Sequence, residues 1–66
     1  MRKSFEVIDL VLIDEDENIV LEPGDIVEIE LDKTPNGWPC LIMNDEMYDI
    51  AFDDEEFYEF FREVKN

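Results

Sequence analysis

The chain has 66 residues, 45% of them hydrophobic, and its 20 acidic and 5 basic residues give a formal net charge of −15. This length supports one small domain, residues 1–66, with a thin stability margin, because so short a chain buries only about 60% of its unfolded surface. The hydrophobic content excludes a disordered acidic tail, and the charge excludes direct binding to nucleic acid or to an anionic membrane surface.

The apolar segments and the single cysteine bear on where the protein resides. No run approaches the roughly 18 apolar residues that a membrane span needs. Glu6 and Asp9 interrupt the segment that follows the N-terminal Arg-Lys pair, so no secretory signal peptide is predicted. Cys40 has no second cysteine with which to form an internal disulfide, which is typical of a reducing compartment. We therefore expect a cytoplasmic protein.

The first predicted element is a strand over residues 4–13, SFEVIDLVLI, which are rich in β-branched side chains. Apolar residues occupy both alternating rows of this segment, and Asp9 breaks one of the rows. The pattern favours either burial of both faces near the C-terminal half or a bulge near Asp9 that changes the inward face. An acidic loop at 14–18 then leads into a short second strand at 19–22.

A Pro-Gly pair separates the second strand from the third. Pro23 and Gly24 suit the central positions of a type II turn, because proline fixes φ and glycine accepts a positive φ. Such turns splay the flanking strands, so we expect 19–22 and 25–32 to diverge rather than form a tight hairpin. The third strand alternates apolar with acidic residues, which predicts one row facing the core and the carboxylates facing outward.

The rest of the chain predicts a hairpin followed by a helix. Residues 38–43 and 47–52 are interpreted as the two strands of the hairpin, with Pro39 confining the first strand to an edge or to its own start. Residues 54–64 change to the helical period, since apolar residues recur at i, i+3, i+4 and i+7, and Asp53 suits the N-cap. The apolar stripe of this helix consists of Phe57, Phe60, Phe61 and Val64.

These elements predict an α+β fold: a small, strongly bent antiparallel β-sheet of about five strands, with one C-terminal α-helix across one end. The long first strand and the segment LEPGDIVEI at 21–29, which turns into the third strand, resemble SH3-like barrels. That resemblance implies an SH3-like half-barrel. The ΦxPGDxVxI pattern also occurs in AbrB-like DNA-binding domains, but an AbrB-like protein needs a basic DNA-facing surface, and this chain has none.

The side chains present argue against an enzyme. The chain has no histidine, its hydroxyl residues have no neighbouring base, and Cys40 has no imidazole partner, so no nucleophile–base pair is predicted. Carboxylate pairs are abundant, yet a chain of this size has little room for a core and a substrate cleft together. We expect a non-enzymatic protein that carries no cofactor.

One segment matches part of a calcium-binding loop. Asp14, Asp16 and Asn18 fall at positions 1, 3 and 5 of an EF-hand-like loop. Position 6 is Ile19 instead of glycine, and position 12 is Asp25 instead of glutamate. We therefore predict no metal centre, and we keep the first three residues only as candidates for a weak surface cation site.

The most informative feature is the arrangement of the acids. Glu28, Glu30 and Asp32 alternate along the third strand, with Cβ atoms roughly 6.6–6.8 Å apart on one face, and Asp49 extends this surface. A nucleic-acid strand also presents regular negative charge, about one per 3.4 Å of axis. On the helix, like-charge pairs at i and i+4 are tolerated at a cost of a few tenths of a kcal/mol each, as at Glu55 and Glu59. We interpret this tolerated repulsion as a sign that the acids bind a partner.

Two aromatic residues are candidate apolar anchors beside the acidic surface. Trp38 is either a lid on the core or an exposed anchor for a partner, since tryptophan is enriched at interface hot spots. Tyr48 is the second candidate. The complete set of predicted partner-binding residues is Glu28, Glu30, Asp32, Trp38, Tyr48, Asp49, Glu55, Glu56, Glu59 and Glu63.

The leading functional hypothesis is a non-enzymatic acidic protein-binding module. In size and charge the chain resembles the small acidic inhibitors encoded by phages and mobile elements, which implies a DNA mimic that occupies the basic nucleic-acid-binding surface of a host protein. One alternative is a small structural or adaptor domain that self-associates, for which the acids confer solubility only. Another is an antitoxin- or immunity-type partner of a basic toxin. We expect the protein to be a monomer or a weak homodimer, and we expect its partner to be a basic protein.

Overall fold

The computed structural model describes residues 1–32 and 37–65. Within them the chain forms an α+β fold of antiparallel strands with one helix near the C-terminal end. In chain order the elements are β1 Arg2–Val7, β2 Val11–Asp14, β3 Ile19–Leu21, β4 Ile26–Glu30, β5 Cys40–Met43, β6 Glu46–Asp49, α1 Asp54–Phe60 and β7 Phe61–Glu63. A search of these residues for a helix of sufficient length and hydrophobicity to span a membrane finds none.

Five of the strands form an antiparallel sheet in the order β6-β5-β4-β1-β7. β1 lies between β4 and β7 and pairs with both of them. β2 and β3 form a separate two-stranded hairpin. Over the described residues β6 and β7 are not paired with each other, so the sheet is open rather than closed into a barrel.

The segment predicted as one long strand, residues 4–13, is two strands in different sheets, so that prediction is wrong. At the end of β1, the Val7 N–H donates to the Asp25 carbonyl, and the Val7 carbonyl accepts from the Gly24 N–H, both at 2.8 Å. The chain then leaves the sheet and enters β2, which pairs with β3. The irregularity that we expected near Asp9 is therefore a change of sheet.

The turn at Pro23 and Gly24 has the predicted form. The Asp25 N–H donates to the Glu22 carbonyl at 3.1 Å, and Gly24 has φ of 95°, which a residue with a Cβ adopts only under strain. As expected, the strands on either side of the turn diverge: β3 pairs with β2, whereas β4 pairs with β1.

The predicted hairpin is confirmed as β5 and β6, with shorter strands than expected. Its connection is the pair Asn44 and Asp45, with φ of 52° and 65°. Positive φ at both residues is typical of a type I′ turn, which matches the twist of the flanking strands. Pro39 precedes β5, and its carbonyl accepts the N–H of Ile50 at 2.8 Å. The proline is thus at the start of the strand, where it removes no hydrogen bond from the ladder.

The C-terminal helix begins as predicted and ends earlier. The Asp53 side chain accepts the Glu56 N–H at 2.8 Å, which confirms the N-cap. The helix ends at Phe60, and Phe61 adopts extended angles, φ −133° and ψ 137°. The prediction of helix to residue 64 is wrong because β1 has a second edge whose backbone groups need partners, and β7 supplies them.

The core lies where the five-stranded sheet, the β2–β3 hairpin and the helix meet. The Phe57 ring lies edge-on to the Phe5 ring at 5.2 Å and stacks on the Phe61 ring at 4.8 Å between centroids. Phe57 and Phe61 are therefore core residues, and Phe60 is half-buried against them. The buried hydrophobic residues of the cluster are Phe5, Val7, Val11, Leu21, Ile29, Leu41, Ile50, Phe57 and Phe61.

Candidate functional site: an acidic surface

The acidic residues predicted along the third strand lie on and just after β4, and positively charged groups form ion pairs with them. The Arg2 Nη1 atom is 3.6 Å from the Glu28 Oε2 atom, and the Met1 amino group forms ion pairs with Glu30 and Asp32. Hydrogen bonding from this amino group, and then from the Asp32 N–H, holds the pKa of Glu30 below its ordinary value. Part of the charge of this row is therefore neutralised within the molecule.

Two further ion pairs join β1 to β7. Arg62 Nη2 is 2.5 Å from Glu6 Oε1, and Lys3 Nζ is 3.3 Å from Glu63 Oε1. Glu63 falls in the segment predicted as helix, residues 54–64, but it is a β7 residue on the same sheet face as its pairing partner Phe5. That placement is wrong because the chain changes from helix to strand at residue 61. The ion pairs between described residues therefore gather around β1, β4 and β7.

The acidic residues of the helix take part in none of the ion pairs between described residues. Asp54, Glu55 and Glu56 form its first turn, and Glu59 follows one turn later; all four are exposed. First-turn carboxylates interact favourably with the helix dipole, which offsets some of their mutual repulsion. Glu55, Glu56 and Glu59 therefore lie on the exposed helix surface where the sequence predicted them.

A second acidic cluster forms around Tyr48, and the sequence did not predict it. The Tyr48 hydroxyl is 2.8 Å from Glu17 Oε2 and also hydrogen-bonds to Glu46. Glu17 belongs to the acidic loop 14–18, so the hydroxyl joins that loop to the β5–β6 hairpin. The hydrogen bonds to Glu46 and then Glu17 raise the pKa of the tyrosine. Tyr48, predicted as an apolar anchor, thus uses its hydroxyl to hold two acidic segments together.

The acidic loop is organised by its own first residue. Asp14 Oδ1 accepts the N–H groups of Asp16 at 2.9 Å and Glu17 at 3.4 Å, and Asn18 has φ of 58°. The Asp14 carboxylate therefore caps the loop backbone. In residues 1–32 and 37–65, no three cysteine, histidine or acidic side chains are grouped so as to hold a metal ion. The EF-hand-like spacing corresponds here to a capped acidic loop.

A shallow pocket shows how the helix is placed relative to β4. The pocket has a volume of about 270 Å³ and is lined by Leu31, Gly37, Pro39, Asp54, Phe57 and Tyr58. It lies between the residue after β4 and the first turn of the helix. The helix acids and the end of the β4 row are therefore at the same end of the molecule. Trp38, predicted as a lid or an anchor, is half-buried next to this pocket.

Asp49, the last predicted site residue, is exposed and adjoins the buried cysteine. The Cys40 Sγ atom donates to Asp49 Oδ1 at 3.3 Å, and the two residues are cross-strand partners of β5 and β6. Burial, with the negative charge of Asp49 as a further cause, raises the pKa of the Cys40 thiol to about 11. The thiolate is the reactive form of cysteine. The Cys40 side chain therefore contributes to packing, and its thiol has low reactivity.

We expect Cys40 to react slowly with iodoacetamide in the folded protein. A thiol pKa near 11, against an ordinary value of 9.0, lowers the thiolate fraction at pH 8 roughly 100-fold, and burial slows the reaction further. The alkylation rate is measured by mass spectrometry, with the same protein in concentrated urea as the control. Equal rates for the folded and the denatured protein would contradict this environment for Cys40.

Comparisons with protein-family models, with curated protein sequences and with solved structures find no match to this chain. Inference about function therefore rests on the chemistry of the surface. Two clusters dominate that surface: the helix acids, and the acids that Tyr48 brings together from the loop 14–18 and the β5–β6 hairpin.

Proposed function

We propose that the protein is a non-enzymatic acidic binding module that occupies the basic nucleic-acid-binding surface of another protein, as DNA-mimic inhibitors of phages and mobile elements do. One observation carries the proposal. The ion pairs gather around β1, β4 and β7, while the helix and the loop 14–18 present carboxylates that no ion pair between described residues involves. This uncompensated charge is what a lysine- and arginine-rich surface would neutralise.

The acids are also attached to fixed elements, which favours specific binding over loose attraction. The helix is capped by Asp53 and anchored in the core by Phe57. The loop 14–18 is capped by Asp14 and joined to the β5–β6 hairpin through Tyr48. A charged array that is already ordered loses less conformational entropy on binding, so more of the electrostatic attraction appears as affinity. Attraction at a distance also speeds the encounter with a basic partner.

We further propose that the scaffold is an SH3-like half-barrel and that the protein acts in the cytoplasm. Support for the scaffold is the five-stranded antiparallel sheet with a hairpin and a helix on its core side. Support for the compartment is the free, buried Cys40, since free thiols persist in reducing environments. Neither proposal is needed for the acidic surface to bind.

Capture from a bacterial lysate tests the proposed function. The immobilised protein should retain basic proteins at about 50 mM salt and release most of them at about 500 mM, because the Debye length falls from roughly 14 Å to roughly 4 Å. The control is a variant carrying Glu→Lys replacements at Glu28, Glu30, Glu55 and Glu59, which should retain far less. The proposal fails if no basic protein is retained, or if retention does not depend on salt.

Two other functions would use different parts of the molecular surface. A self-associating adaptor would use the exposed apolar residues of the β2–β3 hairpin, and it predicts a mass that rises with protein concentration in sedimentation experiments. An antitoxin- or immunity-type protein has the same electrostatic logic and predicts the capture of one dedicated basic toxin. The proposed module, whether a monomer or a weak homodimer, captures proteins that also bind nucleic acid.

A further inference from the structure

The β2–β3 hairpin carries an apolar strip on its outward face. Leu12 and Val20 are cross-strand partners, so their side chains share a face, and Leu10 lies directly before β2. They are 59%, 40% and 58% exposed, respectively. The opposite face of the same hairpin contributes Val11 and Leu21 to the buried core. The hairpin is thus apolar on both faces and buried on one.

This strip is not required by the fold. An antiparallel hairpin that covers a core ordinarily has apolar residues inward and polar residues outward. β4 of this protein follows that rule at the buried Ile29 and the exposed Glu28, and departs from it at the exposed Ile26. The sequence pattern is compatible with burial of both faces of this segment. Instead, the described residues leave the outward side chains of Leu12 and Val20 exposed. Neighbouring exposed aliphatic side chains that carry no structural role commonly mark a protein interaction site.

Carboxylates lie at both ends of the strip. At the end of the hairpin where Leu10 precedes β2, the exposed Glu22 directly follows β3. At the other end, the strands are joined by the loop 14–18, in which Glu15, Asp16 and Glu17 are exposed. The arrangement is an aliphatic centre between two acidic ends. Its electrostatic complement is a segment with aliphatic side chains between basic ones.

We propose that Leu10, Leu12 and Val20 form the docking surface for an amphipathic basic segment of the partner protein. Aliphatic side chains of that segment lie on the strip, and its lysine and arginine side chains meet the carboxylates at the two ends. The inference rests on the proposed function and specifies how the partner is recognised. A second copy of this chain is disfavoured as the occupant, because two chains of net charge −15 would bring acidic ends against each other.

The strip changes how binding responds to salt. Ion pairs at an exposed surface weaken as the Debye length shortens, whereas burial of aliphatic side chains does not depend on charge and is maintained or strengthened by salt. A partner that uses both surfaces therefore keeps a salt-resistant part of its affinity. A partner held by charge alone loses nearly all of its affinity in high salt.

The probe is a synthetic amphipathic peptide of leucine and lysine with the leucines on one helical face, compared with a peptide of the same composition in shuffled order. Titrations are run at low and at high salt with the wild type and with the double variant Leu10→Thr/Leu12→Thr, in which threonine retains strand propensity. The double variant should bind the amphipathic peptide about tenfold more weakly, because two partly exposed leucines each contribute about 0.7 kcal/mol on burial. Binding of the shuffled peptide should be unchanged.

Ile26 and Met47, which are 61% and 57% exposed, lie outside the strip and provide the control. The double variant Ile26→Thr/Met47→Thr should bind both peptides as the wild type does. The nearly isosteric Val20→Thr provides a second test should the double leucine variant fold poorly, and a severalfold loss for the amphipathic peptide alone is expected. Circular dichroism verifies the fold of each variant.

The docking proposal is overturned if both peptides bind equally, or if the leucine and control variants lose the same affinity. It is also overturned if the wild type forms a dimer that the leucine variants abolish, since the occupant is then a second copy. In the first two cases the proposed function stands if binding still falls with salt and with reversal of the helix charges. Failure of both peptides to bind at low salt would remove the docking surface and the proposed function together.

Discussion

Phe57→Ala should leave the protein largely unfolded at room temperature. The Phe57 ring lies at the centre of the core, edge-on to Phe5 and stacked on Phe61, and its side chain is 2% exposed. Truncating a buried phenylalanine costs about 3–5 kcal/mol, and a single core of this size rarely supplies more than about 3–5 kcal/mol in total. Circular dichroism at increasing temperature measures the loss, with a flat, non-cooperative curve expected for the variant.

Tyr58, the next residue along the helix, is the matched control for that truncation. Its side chain is 56% exposed although its ring contacts the Phe57 ring at 5.1 Å between centroids. Tyr58→Ala removes an aromatic ring of similar size without opening a core cavity, so we expect a loss of about 1 kcal/mol and a cooperative transition. A cooperative transition of Phe57→Ala close to that of the wild type would mean that the core is not built around this ring.

Reversing two helix charges should weaken binding to a basic partner by about 10- to 100-fold at low salt. Glu55→Lys/Glu59→Lys replaces two attractions with two repulsions on an exposed element, and each reversal is expected to cost about 1 kcal/mol. The effect should shrink as salt is added, and the slope of log affinity against log salt should fall by roughly one per lost contact. Titration calorimetry with an oligolysine peptide as the probe measures both quantities.

The comparison variant is Glu28→Lys/Glu30→Lys on β4, which changes the net charge by the same four units. Arg2 and the Met1 amino group already accompany these two carboxylates, so less of their charge is available to a partner. We expect the β4 variant to lose less affinity than the helix variant. Equal losses would show that only the total charge matters, and that the distribution of ion pairs has no bearing on binding.

Local chemistry accounts for the elements that the sequence predicts well. The turn at Pro23 and Gly24, the N-cap at Asp53 and the hairpin through Asn44 all depend on residues within four positions of one another. Each uses a side chain with a strong preference for one backbone geometry. These features are therefore readable without knowledge of the rest of the chain.

The two errors in the fold have one tertiary origin. β1 ends at Val7 because the carbonyl and N–H of that residue bond to the Pro-Gly turn, and the helix ends at Phe60 because β1 accepts β7 at its free edge. Period and propensity allow a longer strand and a longer helix in these places. Pairing with distant segments decides between the alternatives, and a single sequence does not report such pairing.

The acidic surface shows the same division between local and distant information. Helical spacing is local and correctly places Glu55 and Glu59 on an exposed side. The hydrogen bond from Tyr48 to Glu17 joins residues 31 positions apart, and it exists because the β2–β3 hairpin folds over the sheet. The neutralisation of Glu28 by Arg2 likewise depends on the pairing of β1 with β4. No local sequence pattern indicates the Tyr48–Glu17 hydrogen bond or the Arg2–Glu28 ion pair.

Duplex DNA should displace the proteins that bind to the acidic surface. The immobilised protein is loaded with a bacterial lysate at low salt and then washed with duplex DNA at constant ionic strength, and the released proteins are identified by mass spectrometry. We expect DNA to release basic, nucleic-acid-binding proteins, because the acidic surface occupies the site where DNA binds. Retention of the captured proteins at saturating DNA would contradict a DNA-mimic function, since the partner would then bind DNA and this protein through different surfaces.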